Sequence, residues 1–130
     1  MSAKILVVDD NALCRMVVSG LLKDAGHEVT TAGDGEEGLA AFRDRQFDAV
    51  LLDVQMPRLD GLALCRILKG RPETRNVPIV MLSGLATAES RSECLAAGAD
   101  DFLSKPAASG ELLARLNSAL NSRLYAGEVA

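Results

Sequence analysis

The sequence predicts one α/β domain: an open, doubly wound sheet of five parallel strands with helices on both faces. Short runs of apolar and β-branched residues alternate five times with stretches of helical periodicity, separated by brief loops. The runs Ile5–Val8, Ala49–Leu52 and Ile79–Leu82 are apolar without alternation, the pattern of strands covered on both sides. A chain of 130 residues has room for one core of this kind and not for two.

Lys4-Ile5-Leu6-Val7-Val8 makes the first strand and ends in the pair Asp9-Asp10. Asn11 is a suitable N-cap for the helix that follows, in which Leu13, Val17 and Leu21 recur every fourth position, flanked by Cys14, Val18 and Leu22. Ala25-Gly26 stops that helix. Val29–Ala32 reads as a short strand, Gly33-Asp34-Gly35 as a turn, and Glu36–Arg43 as a helix with Leu39 and Phe42 facing inward. The third strand, Ala49–Leu52, delivers Asp53 to its end, with Pro57 and Asp60-Gly61 marking a turn directly afterwards. Leu62–Lys69 is the third helix. Gly70, Pro72 and Pro78 then punctuate a polar loop before Ile79–Leu82, which closes on Ser83-Gly84. Glu89–Ala97 is a short helix rich in Ala and Ser, whose thin apolar face implies low local stability, and Gly98 ends it. Phe102-Leu103-Ser104 is a brief strand leading into Lys105-Pro106. The final helix, Glu111–Leu124, carries the stripe Leu112, Leu116, Leu120 and Leu124, and residues 125–130 remain as a C-terminal tail. Right-handed crossovers leave few topologies for so short a chain, and the flavodoxin-like strand order 2-1-3-4-5 is favoured.

Composition narrows the function. A net charge of −4 disfavours a nucleic-acid partner, and 3% aromatic residues without Trp argue against base-stacking surfaces. The N-terminal apolar run Ile5–Val8 is shorter than the hydrophobic part of a signal peptide or a membrane span, so the expected location is the cytoplasm, with no membrane partner. Cys14, Cys65 and Cys94 are scattered and suggest neither zinc nor a disulfide framework; buried, inert thiols are expected. His27, the only histidine, follows Gly26 and is expected at the surface.

Under this topology Asp9, Asp10, Asp53, Ser83 and Lys105 arrive at one sheet edge, at the C-terminal ends of four strands. Clustered carboxylates repel one another, so the site is tolerable only with a bound cation or a retained proton. Oxygen ligands select a hard cation such as Mg²⁺, and a lysine and a hydroxyl beside it would complete a cradle for a phosphoryl group. An Asp carboxylate can itself be the nucleophile, and Asp53 is the best placed. In the alternative reading, Asp53 only caps the helix that follows.

Four motifs, Val7-Val8-Asp9-Asp10-Asn11, Leu51-Leu52-Asp53-Val54-Gln55-Met56-Pro57 with Asp60-Gly61, Met81-Leu82-Ser83-Gly84 and Phe102-Leu103-Ser104-Lys105-Pro106, together resemble the receiver domain of bacterial two-component response regulators. The resemblance runs from Lys4 to about Leu124, so that residues 1–124 make the domain. It implies that Asp53 accepts phosphate from a histidine kinase or phosphotransfer protein. Asp10 would ligate Mg²⁺ directly and Asp9 mainly through water, with Asp53 and the backbone carbonyl of Gln55 completing the protein ligands. Lys105 would pair with the phosphate, and Ser83, standing where Thr is common, would move to hydrogen-bond it. Phe102 matches the family's switch aromatic but lacks a Tyr hydroxyl, so it either reads the switch by packing or is simply core. Lys105-Pro106 matches the family's cis peptide. Gln55 and Leu85 resemble positions that set how fast water reaches the phosphate.

The implied function is a phosphorelay switch that alters the helix 4, strand 5 and helix 5 surface for a downstream protein target, as a monomer or weak homodimer through helices 4 and 5. It would be no enzyme beyond its own phosphorylation and dephosphorylation. A receiver-like module that binds partners without phosphorylation is the alternative. A flavin carrier fits less well, because Asp9-Asp10 would repel the FMN phosphate. An aspartyl phosphatase would need a further general acid and a substrate pocket, for which the chain has no room.

Overall fold

The computed structural model describes residues 2–85 and 87–129, with side chains as far as residue 122. Lys4–Val8 (β1) lies between Glu28–Ala32 (β2) and Ala49–Asp53 (β3), and Ile79–Ser83 (β4) lies between β3 and Asp101–Ser104 (β5). Every pairing is parallel and the order is β2-β1-β3-β4-β5, as predicted. Register then aligns the strand ends. Val8 is level with Leu52 and Asp53 with Leu82, so Asp9 and Asp53 stand at the same height, and Ser83, level with Ser104, stands one residue beyond.

Side-chain parity sorts each central strand between two cores. Leu6, Val8, Val50, Leu52, Ile79 and Met81 meet Leu64, Cys65 and Leu68 of α3 (Gly61–Gly70) and Cys94 of α4 (Ala88–Ala96). Ile5, Val7, Ala49, Leu51, Val80 and Leu82 meet Leu22 of α1 (Ala12–Asp24) and Leu112 and Leu116 of α5 (Ser109–Val129) on the opposite face. Each such buried leucine or isoleucine contributes about 1.5–3 kcal/mol, which explains why the central strands contain so few polar residues.

Four helices begin on a side-chain cap at the sheet edge that carries the site. Asn11 accepts from the Cys14 amide at 3.0 Å, Asp60 from Ala63 at 2.8 Å, and Thr87 from Ser90 at 3.0 Å. Asp34 caps α2 (Gly35–Ala41) in the same way, through the Glu37 amide at 2.7 Å.

Several expectations need correction. In α1 the sheet takes Val18, Leu21 and Leu22, while Leu13 and Val17 are 64% and 61% exposed. The helix carries more apolar residues than one sheet face can cover. α2 ends at Ala41 and not at Arg43: Phe42 and Arg43 tighten the last turn by bonding the Leu39 and Ala40 carbonyls at 3.2 and 3.1 Å, and the Phe42 ring packs edge-to-face on Phe47, with ring centroids 5.0 Å apart. α5 starts at Ser109 and continues to Val129, through most of the expected tail; only Gly127 opposes helix there, at a cost of about 1 kcal/mol. Ala130 and the side chain of Leu124 lie outside the described residues. His27 is half-buried, because the turn at Gly26 (φ 93°) brings its Nδ1 to accept from the Ala3 amide at 3.1 Å. Cys65 and Cys94 are buried as expected, whereas Cys14 is only partly so. Burial pushes the Cys65 thiol up to about 11 and raises Cys94 as well, which keeps both unreactive.

Candidate functional site

Asp53 ends β3, where its neighbours in the sheet are also strand ends. Its side chain is 6% exposed, yet its polar contacts are long: the Gln55 amide donates to Oδ1 at 3.3 Å and the Lys105 ammonium lies 3.4 Å away. It caps no helix, since Asp60 takes that role for α3. Asp9 is better held. Its Oδ2 accepts from Lys105 Nζ at 2.6 Å, its Oδ1 accepts from the Asn11 amide at 2.9 Å, and its carbonyl accepts from Arg15 at 2.6 Å. Asp10 is exposed, with no hydrogen-bond or ion-pair partner among the described residues.

These contacts explain the electrostatics. Burial raises Asp53, Lys105 opposes the rise, and the neighbouring Asp9 adds to it, leaving the carboxyl at about 6. Lys105 responds the other way. Burial works to lower its pKa, but the hydrogen bond to Asp9 and the charges of both aspartates outweigh burial and hold the ammonium above its ordinary value. One ammonium stands between two carboxylates and sits nearer to Asp9, so Asp53 remains under-compensated.

Asp9, Asp10 and Asp53 each offer an oxygen within 4.8 Å of the others. An all-oxygen set of this size suits a small hard cation, and the exposed Asp10 gives it access from solvent. Beside the trio an open groove of about 530 Å³ runs past Gln55, Met56 and Pro57 to Glu93 of α4. Gly61 makes the tight turn between β3 and α3 possible: a Cβ there would collide with the Asp53 carbonyl, and its amide bonds the Val54 carbonyl at 3.1 Å.

The sequence profile of the response regulator receiver domain matches residues 5–117. The chain belongs to this family. The receiver is 41% identical to a gliding motility regulatory protein of Myxococcus xanthus over 112 residues, which cover 86% of this chain and 14% of the relative. It is 44% identical to the response regulator MprA of Mycobacterium tuberculosis over 120 residues, covering 92% of this chain and 51% of that one. Among solved structures, chemotaxis protein CheY4 of Vibrio cholerae superposes with a TM-score of 0.87 at 37% identity, covering 92% of this chain and 99% of that one. The chain thus spans about half or less of the length of these curated relatives.

Asp9, Asp10, Asp53, Gln55, Ser83 and Lys105 lie together at one edge of the sheet, whereas Phe102 sits further down β5, level with Met81. Ser83 is fully buried at the end of β4, and its hydroxyl makes no hydrogen bond to Asp53 among the described residues. Phe102, on β5, is partly buried against the core that α3 and α4 cover. The Lys105-Pro106 peptide is cis. One participant escaped the sequence, Arg15, which secures the Asp9 backbone; Gln55 was expected at the site, but not the bond from its side chain across to Ser83. Only the capping pattern after Asn11 hinted at Arg15, by placing it one turn into α1 above the site.

Proposed function

We propose that the receiver is a phosphoacceptor switch in which Asp53 takes a phosphoryl group from a histidine kinase or phosphotransfer protein. The observation that carries this reading is a buried carboxylate at a strand end, held only by long contacts and flanked by two further carboxylates and an ammonium. Asp10 and Asp53, the Gln55 backbone carbonyl and, through water, Asp9 would hold Mg²⁺. When bound, this ion neutralises the acidic cluster and polarises the phosphoryl oxygens.

The protein's own part is positioning and charge. An Asp53 oxygen forms the new P–O bond as the P–N bond of a phosphohistidine breaks and the imidazole leaves with its electron pair. Lys105 is already 3.4 Å from Asp53 and needs only a small movement to meet the phosphoryl oxygens. Later attack by water at phosphorus restores the carboxylate and frees inorganic phosphate, so the domain turns over nothing but its own phosphoryl group. Leu13, Met16 and Val17 form an exposed apolar patch on α1 close to the site and suit the docking of the phosphodonor protein. On the output side, α4 buries only Cys94, so little packing resists its displacement when Ser83 and Phe102 move. A downstream protein target would read the resulting α4, β5 and α5 surface.

The test is intact-protein mass after incubation with a small-molecule phosphodonor and Mg²⁺. One added phosphoryl group, absent with a chelator and absent in Asp53→Ala, is the expected result. No adduct under rapid quenching would leave a binding module that works without phosphorylation.

A further inference from the structure

Ser83 has one hydroxyl proton and two lone pairs, and all three are committed. The oxygen accepts from Gln55 Nε2 at 3.0 Å and from the Leu85 amide at 3.0 Å. The proton is shared between Gln55 Oε1 at 3.2 Å and the Leu85 carbonyl at 3.3 Å. Gln55 Oε1 also accepts from the Gly84 amide at 3.4 Å, so one carboxamide spans the end of β4. Meanwhile the Gln55 backbone amide donates to Asp53 Oδ1. A single residue therefore touches the acidic centre through its backbone and the hydroxyl through its side chain.

We infer that the Gln55 side chain is a positioning residue that holds the Ser83 hydroxyl away from Asp53 in the unphosphorylated receiver and must release it before the switch can turn. This rests on the phosphoacceptor reading above and adds a restraint on it. The hydroxyl has one proton to offer, so it cannot meet a phosphoryl oxygen until the carboxamide and the Leu85 carbonyl both give that proton up, and the carboxamide is the part of this restraint that belongs to a side chain. The resting state is thereby favoured by the hydrogen bonds that are broken, and loss of the carboxamide shifts the population towards the active packing. A net hydrogen-bond contribution of ordinary size corresponds to about a three- to tenfold change in the apparent affinity for an activating ligand.

The experiment is titration of Mg²⁺-loaded protein with beryllofluoride, a phosphoryl mimic, followed by NMR for wild type, Gln55→Met, Ser83→Ala and the double variant. Gln55 is solvent-exposed, so Met is accommodated without disturbing the core and keeps the backbone carbonyl. Expected are about three- to tenfold tighter binding by Gln55→Met and, before ligand is added, movement of its Leu85 amide resonance towards the bound position. In the Ser83→Ala background the Gln55 substitution should have less than about a twofold effect. Unchanged or weaker binding by Gln55→Met, or an equal gain with Ser83 absent, overturns the restraint while leaving the phosphoacceptor reading intact. Failure of the wild type to bind beryllofluoride removes both.

Discussion

Asp53 is destabilising as a charge, and Asp53→Asn measures by how much. Its carboxyl rises from the ordinary 3.8 to about 6, chiefly through burial. The folded state thus holds a proton on Asp53 that the unfolded chain has already lost between about pH 4 and pH 6. Stability from this group is fully present below pH 4 and declines as pH rises through 6. The full displacement corresponds to about 3 kcal/mol. Asparagine has the same shape and cannot ionise, so in chelator at pH 7.5 the variant should be more stable by up to this amount. For a domain of this size that is roughly 10 °C in Tm. Urea or thermal unfolding of both proteins from pH 4 to pH 7.5 is the assay. The gap should open through that range and close when Mg²⁺ is added to the wild type, because a cation that binds only the folded state offsets the same repulsion. A gap independent of pH, or an asparagine variant less stable at pH 7.5, would refute the reasoning.

Further outcomes follow from particular residues. Gly61→Ala places a methyl group against the Asp53 carbonyl and should cost about 2–3 kcal/mol by urea denaturation, together with perturbed Asp53 and Val54 amide resonances. Arg58 is held at φ 63° in the loop after β3, so Arg58→Gly should stabilise by about 0.5 kcal/mol in the same assay. Val17 is 61% exposed on α1; Val17→Glu should slow phosphoryl transfer from a phosphodonor protein about tenfold and leave transfer from a small-molecule donor unchanged.

The central strands were legible because β1, β3 and β4 are buried on both faces, which demands uninterrupted apolar runs that nothing else in a short chain resembles. The residues at their ends were legible for the same reason: a carboxylate or hydroxyl directly after such a run must lie at the sheet rim. The inward arc of α1 was not, since Leu13, Met16 and Val17 look as suitable for burial as Leu22 does. Hydrophobic periodicity marks which residues can be buried, and the sheet decides which are. The early end of α2 was not legible either, since the tightened turn at Phe42 and Arg43 and the ring contact with Phe47 leave the periodic pattern unchanged. Arg15 and the bond from the Gln55 carboxamide to Ser83 were hidden for another reason. Long polar side chains carry no periodic signal, and their partners, the Asp9 carbonyl and the Ser83 hydroxyl, lie on other elements or across a turn.

The most direct measurement is chemical location of the phosphoryl group. After incubation with phosphodonor and Mg²⁺, borohydride reduction converts an aspartyl phosphate to homoserine, and peptide mass mapping finds where. Homoserine at position 53 alone, and none in chelator, is the expected result. Reduction products at Asp9 or Asp10 with position 53 unchanged, or none anywhere, would contradict the assignment of Asp53 as the phosphoacceptor.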